Sequence, residues 1–144
     1  MRIDFYHLTA APLEKVLPAI AEKVAAGGGR LVIVAEEPLL AALDRELWTW
    51  SAESFLPHGR SDGPGPEVQP ILLAEAVEAS NGARNVALAD GKWRDEALAF
   101  ERVFYFFGGD TLEAARTAWR ALKGREGAEL RYWKQQDGRW VEGP

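Results

Sequence analysis

The stretch RLVIVAEEPLLAALDREL, residues 30–47, decides the fold. Residues 30–35 form a near-continuous apolar run, the pattern of a central strand covered on both faces. Across residues 36–47 the apolar period changes, and Leu39, Leu40, Leu43 and Leu47 fall on one side of a helix. A two-sided strand followed by a one-sided helix is the start of a βαβ unit. The sheet is therefore expected to be mostly parallel, with right-handed crossovers.

The same unit stands upstream. Residues 3–8, IDFYHL, are a short run of strand formers, and Pro12 sits where a helix can begin. Leu13, Val16, Leu17, Ile20 and Val24 supply the helical stripe, while Pro18 inside it predicts a kink or a late start. Gly27, Gly28 and Gly29 end the helix. A phosphate cradle follows a strand and opens a helix, so that backbone N–H groups face the anion. This triple glycine precedes a strand and lacks the Gly-Lys-Ser/Thr ending, so it reads as a C-cap and turn.

Downstream, residues 59–70, GRSDGPGPEVQP, hold neither helix nor central strand and read as a surface loop. Residues 71–73 and 86–88 are two more strands, separated by a Ser80-Asn81-Gly82 turn. Residues 92–100 read as a short helix and residues 102–107, RVFYFF, as a strongly aromatic strand near the sheet centre. Asp110 with Glu113 fits a capping box for a last helix through Leu112, Ala115, Trp119 and Leu122, stopping near Gly124 or Gly127. Residues 130–134, LRYWK, give a last strand, and Asp137-Gly138 a tight turn before Arg139, Trp140 and Val141. The whole predicts a single domain over residues 1–144. Its architecture is a three-layer α/β/α sandwich with a mostly parallel central sheet, Rossmann-like but lacking a phosphate-binding loop.

Composition narrows the function. The chain has no cysteine, which excludes disulfides and thiolate metal sites, and its two histidines exclude a histidine-rich metal cage. No metal or cofactor is expected. MRIDFYHL moves straight into a strand without signal-peptide features, and no run approaches the ~20 apolar residues of a membrane span, so a reducing cytoplasm is the expected setting. A net charge of -5 argues against a chain that coats nucleic acid by itself, because phosphate binding is driven by clustered Lys and Arg.

Two constellations stand out. LDRELWTWSAESFLPHG, residues 43–59, gathers Trp48, Trp50, Phe55 and His58 on a connection, where binding residues collect; the aromatics either fold back onto the core or meet a partner. On the last helix Arg116, Arg120 and Lys123 share one face, with Trp119 at its edge. That face is either a solvated basic stripe beside a core Trp or a site for an acidic peptide with a hydrophobic last residue, whose carboxylate and side chain are captured together. For catalysis the chain offers Ser51, Ser54, Ser61 or Ser80 with His7 or His58, none in a Gly-x-Ser-x-Gly elbow. A small-molecule or nucleotide-processing enzyme with a site near His58 is the alternative reading.

With those residues in view, the chain resembles the chi subunit of bacterial DNA polymerase III holoenzyme nearly end to end. The resemblance rests on FYHL at residues 5–8, LDRELWTWSAESFLPHG at 43–59, QPILL at 69–73, FERVFYFF at 100–107, and AARTAWRALKGREG followed by LRYWK. Its most specific part holds Leu43-Asp44, Leu47-Trp48, Phe55 and Pro57-His58. The resemblance implies an α/β domain without a phosphate loop, no catalytic role, and a clamp-loader adaptor with two surfaces. Trp48 and Phe55 match positions that bind the psi subunit. Arg116, Trp119 and Arg120 match positions that bind the acidic C-terminal tail of single-stranded-DNA-binding protein, and Lys123 continues that face. Neither direct nucleic-acid binding nor a membrane is expected. Trp119 stands where a tyrosine is familiar and Leu112 where a lysine is, which leaves the tail site less basic at one end.

Overall fold

The computed structural model describes residues 1–50 and 56–143. In chain order its elements are β1 (Arg2–His7), α1 (Leu13–Ala26), β2 (Leu31–Val34), α2 (Leu39–Thr49), β3 (His58–Arg60), β4 (Ile71–Ala74), β5 (Asn85–Leu88), β6 (Arg102–Phe107), α3 (Leu112–Leu122), β7 (Glu129–Gln136) and β8 (Arg139–Glu142). The strands form one sheet in the order β3-β4-β2-β5-β6-β1-β7-β8. Every pairing is parallel except β7 with β8.

The apolar run that decides the fold lies where its composition demands. All four residues of β2 are 0% exposed, between β4 and β5. Leu31 and Ile33 face a layer built from α1 and α2, where Leu17, Ala21, Leu40, Leu43 and Leu47 are buried. Val32 and Val34 face the opposite layer, where α3 contributes Ala115, Ala118 and Leu122. The architecture is thus a three-layer α/β/α sandwich, and the aromatic β6 lies inside the sheet between β5 and β1.

Several local expectations resolve differently. α1 begins at Leu13 and continues past a buried Pro18, so the late start is not found. The glycines after it cap the helix: Gly28 (φ 82°) donates to Ala25 O at 3.0 Å and Gly29 to Val24 O at 3.0 Å, the paired bonds of a Schellman ending. The Gly/Pro-rich passage begins with the edge strand β3, because one hydrogen-bonded side suffices for a strand whose other side is free. The short helix expected over residues 92–100 is a 3₁₀ turn, Asp95–Ala99.

Nor does Asp110 cap α3. A 3₁₀ turn, Gly109–Thr111, precedes the helix, and Thr111 Oγ1 accepts the Gly108 N–H at 2.9 Å, while Glu113 pairs with Arg116 instead. The expected hairpin is present: Asp137 (φ 52°) and Gly138 (φ 75°) join β7 to β8 with the two positive φ values of a type I′ turn.

Candidate functional site

α3 packs over β1, β6 and β7 through its small residues, and that choice opens a hollow beside it. Ala115 and Ala118 let the helix approach the sheet, whereas Arg116, Trp119, Arg120 and Lys123 line a cavity of about 720 Å³. The four cation and aromatic positions singled out on this helix therefore share one pocket. The sheet supplies its apolar floor, with Phe5, Phe107 and Tyr132, and Leu112 and Leu130 close its sides. Trp119 is half-buried and meets Phe5 edge-on, ring centroids 5.0 Å apart, with Tyr132 edge-on at 6.4 Å.

The rim carries the charge. Arg116 is exposed and bonds Glu113 at 2.8 Å on the solvent side, while Arg120 makes only a long contact of 3.4 Å with Thr117 Oγ1. No carboxylate among the described residues pairs with Arg120 or Lys123. Arg131, which also lines the cavity, lies 3.5 Å from Glu129 and 3.9 Å from Glu142. A basic mouth over an aromatic floor can hold a ligand that is anionic at one end and apolar at the other.

His7, Tyr132 and Arg131 were assigned no place in this site from sequence. His7 ends β1 and stacks on Phe107 with centroids 4.8 Å apart, and its Nδ1 is hydrogen-bonded to the Tyr132 hydroxyl at 2.7 Å. Burial, and then the positive charge of Arg116, hold the His7 pKa below the ordinary imidazole value. Burial pushes Tyr132 up, partly opposed by Arg116. The signal available beforehand was only that IDFYHL and LRYWK are both strands; their parallel pairing was not.

Trp48 lies elsewhere. It stands near the end of α2, 56% exposed, with its ring 4.5 Å from that of His58. Trp50 instead packs against the core of the α1–α2 layer. Phe55, Ser51 and Ser54 lie outside the described residues. Since β3 and β8 are opposite edges of the sheet, and α2 and α3 lie on opposite faces, Trp48 and the α3 pocket are well separated.

His58 is only 5% exposed. Its Nδ1 donates to Leu56 O at 2.8 Å, and its Nε2 lies 3.0 Å from Asp44 Oδ1 without the alignment of a hydrogen bond. Neither Ser61 nor Ser80 bonds to it; the Ser80 hydroxyl goes to Glu78. The end of the sheet where a phosphate loop would sit is tied up by Asp90. This carboxylate accepts the Glu36 N–H at 3.0 Å, the Lys92 N–H at 3.2 Å and both Arg94 nitrogens at 2.9 and 2.8 Å. Burial would raise the Asp90 pKa, but the bonds and charge of Arg94 with the Glu36 and Lys92 N–H bonds outweigh it and hold the group low.

The family model for the DNA polymerase III chi subunit, HolC, matches residues 1–130. The chain belongs to the DNA polymerase III chi subunit family. A relative named "Probable DNA polymerase III subunit chi", from Rickettsia prowazekii (strain Madrid E), is 28% identical over 83 residues, which is 57% of this chain and 50% of the relative. That match spans half of the relative's length. The family match ends at Leu130, so Arg131, Tyr132, Glu142 and Gly143 extend the pocket beyond the matched part. Among the described residues no helix is long and apolar enough to cross a membrane, and no cluster of three potential metal ligands occurs.

Proposed function

We propose that the protein is a non-catalytic adaptor of the DNA polymerase III clamp-loader complex. It joins the psi subunit, bound through Trp48 and Phe55, to the acidic C-terminal tail of single-stranded-DNA-binding protein, bound in the α3 pocket. The observation that carries this reading is the meeting of Arg116, Arg120 and Lys123 with Trp119 over an aromatic floor in one cavity. The arginines take the tail's carboxylates and Trp119 forms the wall for its terminal apolar side chain, so charge and shape are read together.

Because the cations are exposed, each contributes about 1 kcal/mol, and salt weakens the complex as the Debye length falls from ~10 Å at 0.1 M to ~3 Å at 1 M. An exposed Trp beside a helix end suits a partner helix that brings its own apolar face. Titration calorimetry with a short acidic peptide ending in Phe tests the tail site. Arg116→Ala is expected to weaken binding roughly fivefold, the equivalent of about 1 kcal/mol. Equal binding to wild type, Arg116→Ala and Trp119→Ala would place the site elsewhere.

A further inference from the structure

The α3 pocket contains a titratable pair that the tail-binding reading does not use. His7 lines the cavity with its ring held between Phe107, on which it stacks, and the Tyr132 hydroxyl at Nδ1. Among the described residues its Nε2 makes no hydrogen bond, so one ring nitrogen is fixed by the protein and the other is left over. The Tyr132 hydroxyl both donates and accepts. It can donate to a bare Nδ1 or accept from a protonated one, and the ring keeps its place through a change of charge.

We propose that His7 is a binding residue of this pocket, whose Nε2–H donates to a ligand carboxylate held beside Arg116 and whose ring takes up a proton as that carboxylate arrives. The inference rests on the tail-binding reading and deepens it. In the free protein the groups around His7 disfavour an imidazolium. Burial acts first and the positive charge of Arg116, from α3, second, while Lys134 is its register partner on β7. Tyr132 is neutral, and the acids at this pocket are Glu113, engaged by Arg116, and Glu142 at the cavity wall. A ligand carboxylate reverses that balance, because it neutralises Arg116 and offers the imidazolium a charge-assisted bond. Free energy then links the two events: the ligand raises the pKa of His7, and protons strengthen the ligand. His58 does not confuse the readout, since it sits at the other edge of the sheet.

The test is calorimetry of the same acidic peptide ending in Phe, at about pH 6.5, in two buffers of different ionisation enthalpy, repeated at about pH 8. The inference expects uptake of a fraction of a proton per peptide near pH 6.5. It also expects affinity to fall by up to about tenfold toward pH 8, the effect of a one-unit pKa rise. His7→Asn, whose amide can still reach Tyr132, should bind at its pH 8 strength throughout and exchange no proton. Tyr132→Phe, which keeps the ring wall but frees Nδ1, should reduce the proton uptake. Wild-type binding with no proton uptake and no pH dependence, or with tighter binding at high pH, overturns the role of His7 while leaving tail binding intact. If the wild type does not bind the peptide at either pH, tail binding falls and this inference with it.

Discussion

Replacing Trp119 by Ala separates what the residue does for the fold from what it does for a ligand. The side chain is half-buried, with edge-on contacts to Phe5 at 5.0 Å and Tyr132 at 6.4 Å. A fully buried Trp→Ala change costs about 3–5 kcal/mol, so the half-buried ring here should cost about 2 kcal/mol of stability. The domain stays folded, since natural domains have roughly 5–15 kcal/mol in reserve. If the exposed half of the ring is the wall for a ligand's terminal side chain, peptide affinity should fall by about 2 kcal/mol or more, roughly 30-fold. Urea unfolding reads the first quantity and peptide titration the second. Trp119→Phe preserves an edge-on ring over Phe5 and should recover most of both. Loss of stability with peptide affinity unchanged within twofold would refute the wall assignment.

Three further outcomes are expected. Trp48→Ala, at a 56% exposed position, should change stability by less than about 1 kcal/mol yet weaken psi-subunit binding by about 2 kcal/mol or more; unfolding of this variant would mark Trp48 as core. Glu142→Gln removes a carboxylate 3.9 Å from Arg131 at the cavity wall, so acidic-peptide binding should tighten severalfold at low salt and less so at high salt; weaker binding would contradict the arrangement. Tyr105, buried first and then faced by Asp90, has its pKa pushed up to about 12. A group raised in the folded state stabilises fully below its unfolded value near 10 and loses that contribution as pH climbs to about 12. Unfolding midpoints should therefore drop over that window, and Tyr105→Phe should lessen the drop, the rest coming from Tyr6 and Tyr132, which burial also raises; a drop unchanged in Tyr105→Phe would contradict it.

What could be read beforehand was what short range encodes. Residues 31–34 are apolar at every position because both faces of β2 are covered, and that is visible without knowing what covers them. The face shared by Arg116, Trp119 and Arg120 follows from helical spacing alone, while Lys123 reaches the same pocket from the extended residue that ends the helix. Edge strand β3 was hidden because His58, Gly59 and Arg60 need only one hydrogen-bonded side, which no apolar pattern announces. The cap of α3 was misassigned because a 3₁₀ turn, Gly109–Thr111, precedes the helix and puts Thr111, not Asp110, at its N-cap position, where no side chain caps it. His7 and Tyr132 are 125 residues apart, and only the parallel pairing of β1 with β7 brings them together beneath Arg116. The pocket was thus legible along one helix and illegible across the sheet.

Whether the α3 pocket captures an acidic tail is tested most directly by amide and indole NMR shifts during titration with the Phe-terminated peptide. Saturable shifts are expected, centred on the Trp119 indole, Arg116, Arg120 and Tyr132, and absent when the terminal Phe is deleted. Shifts centred on α2 and β3 around Trp48, or none at all at saturating peptide, would contradict it.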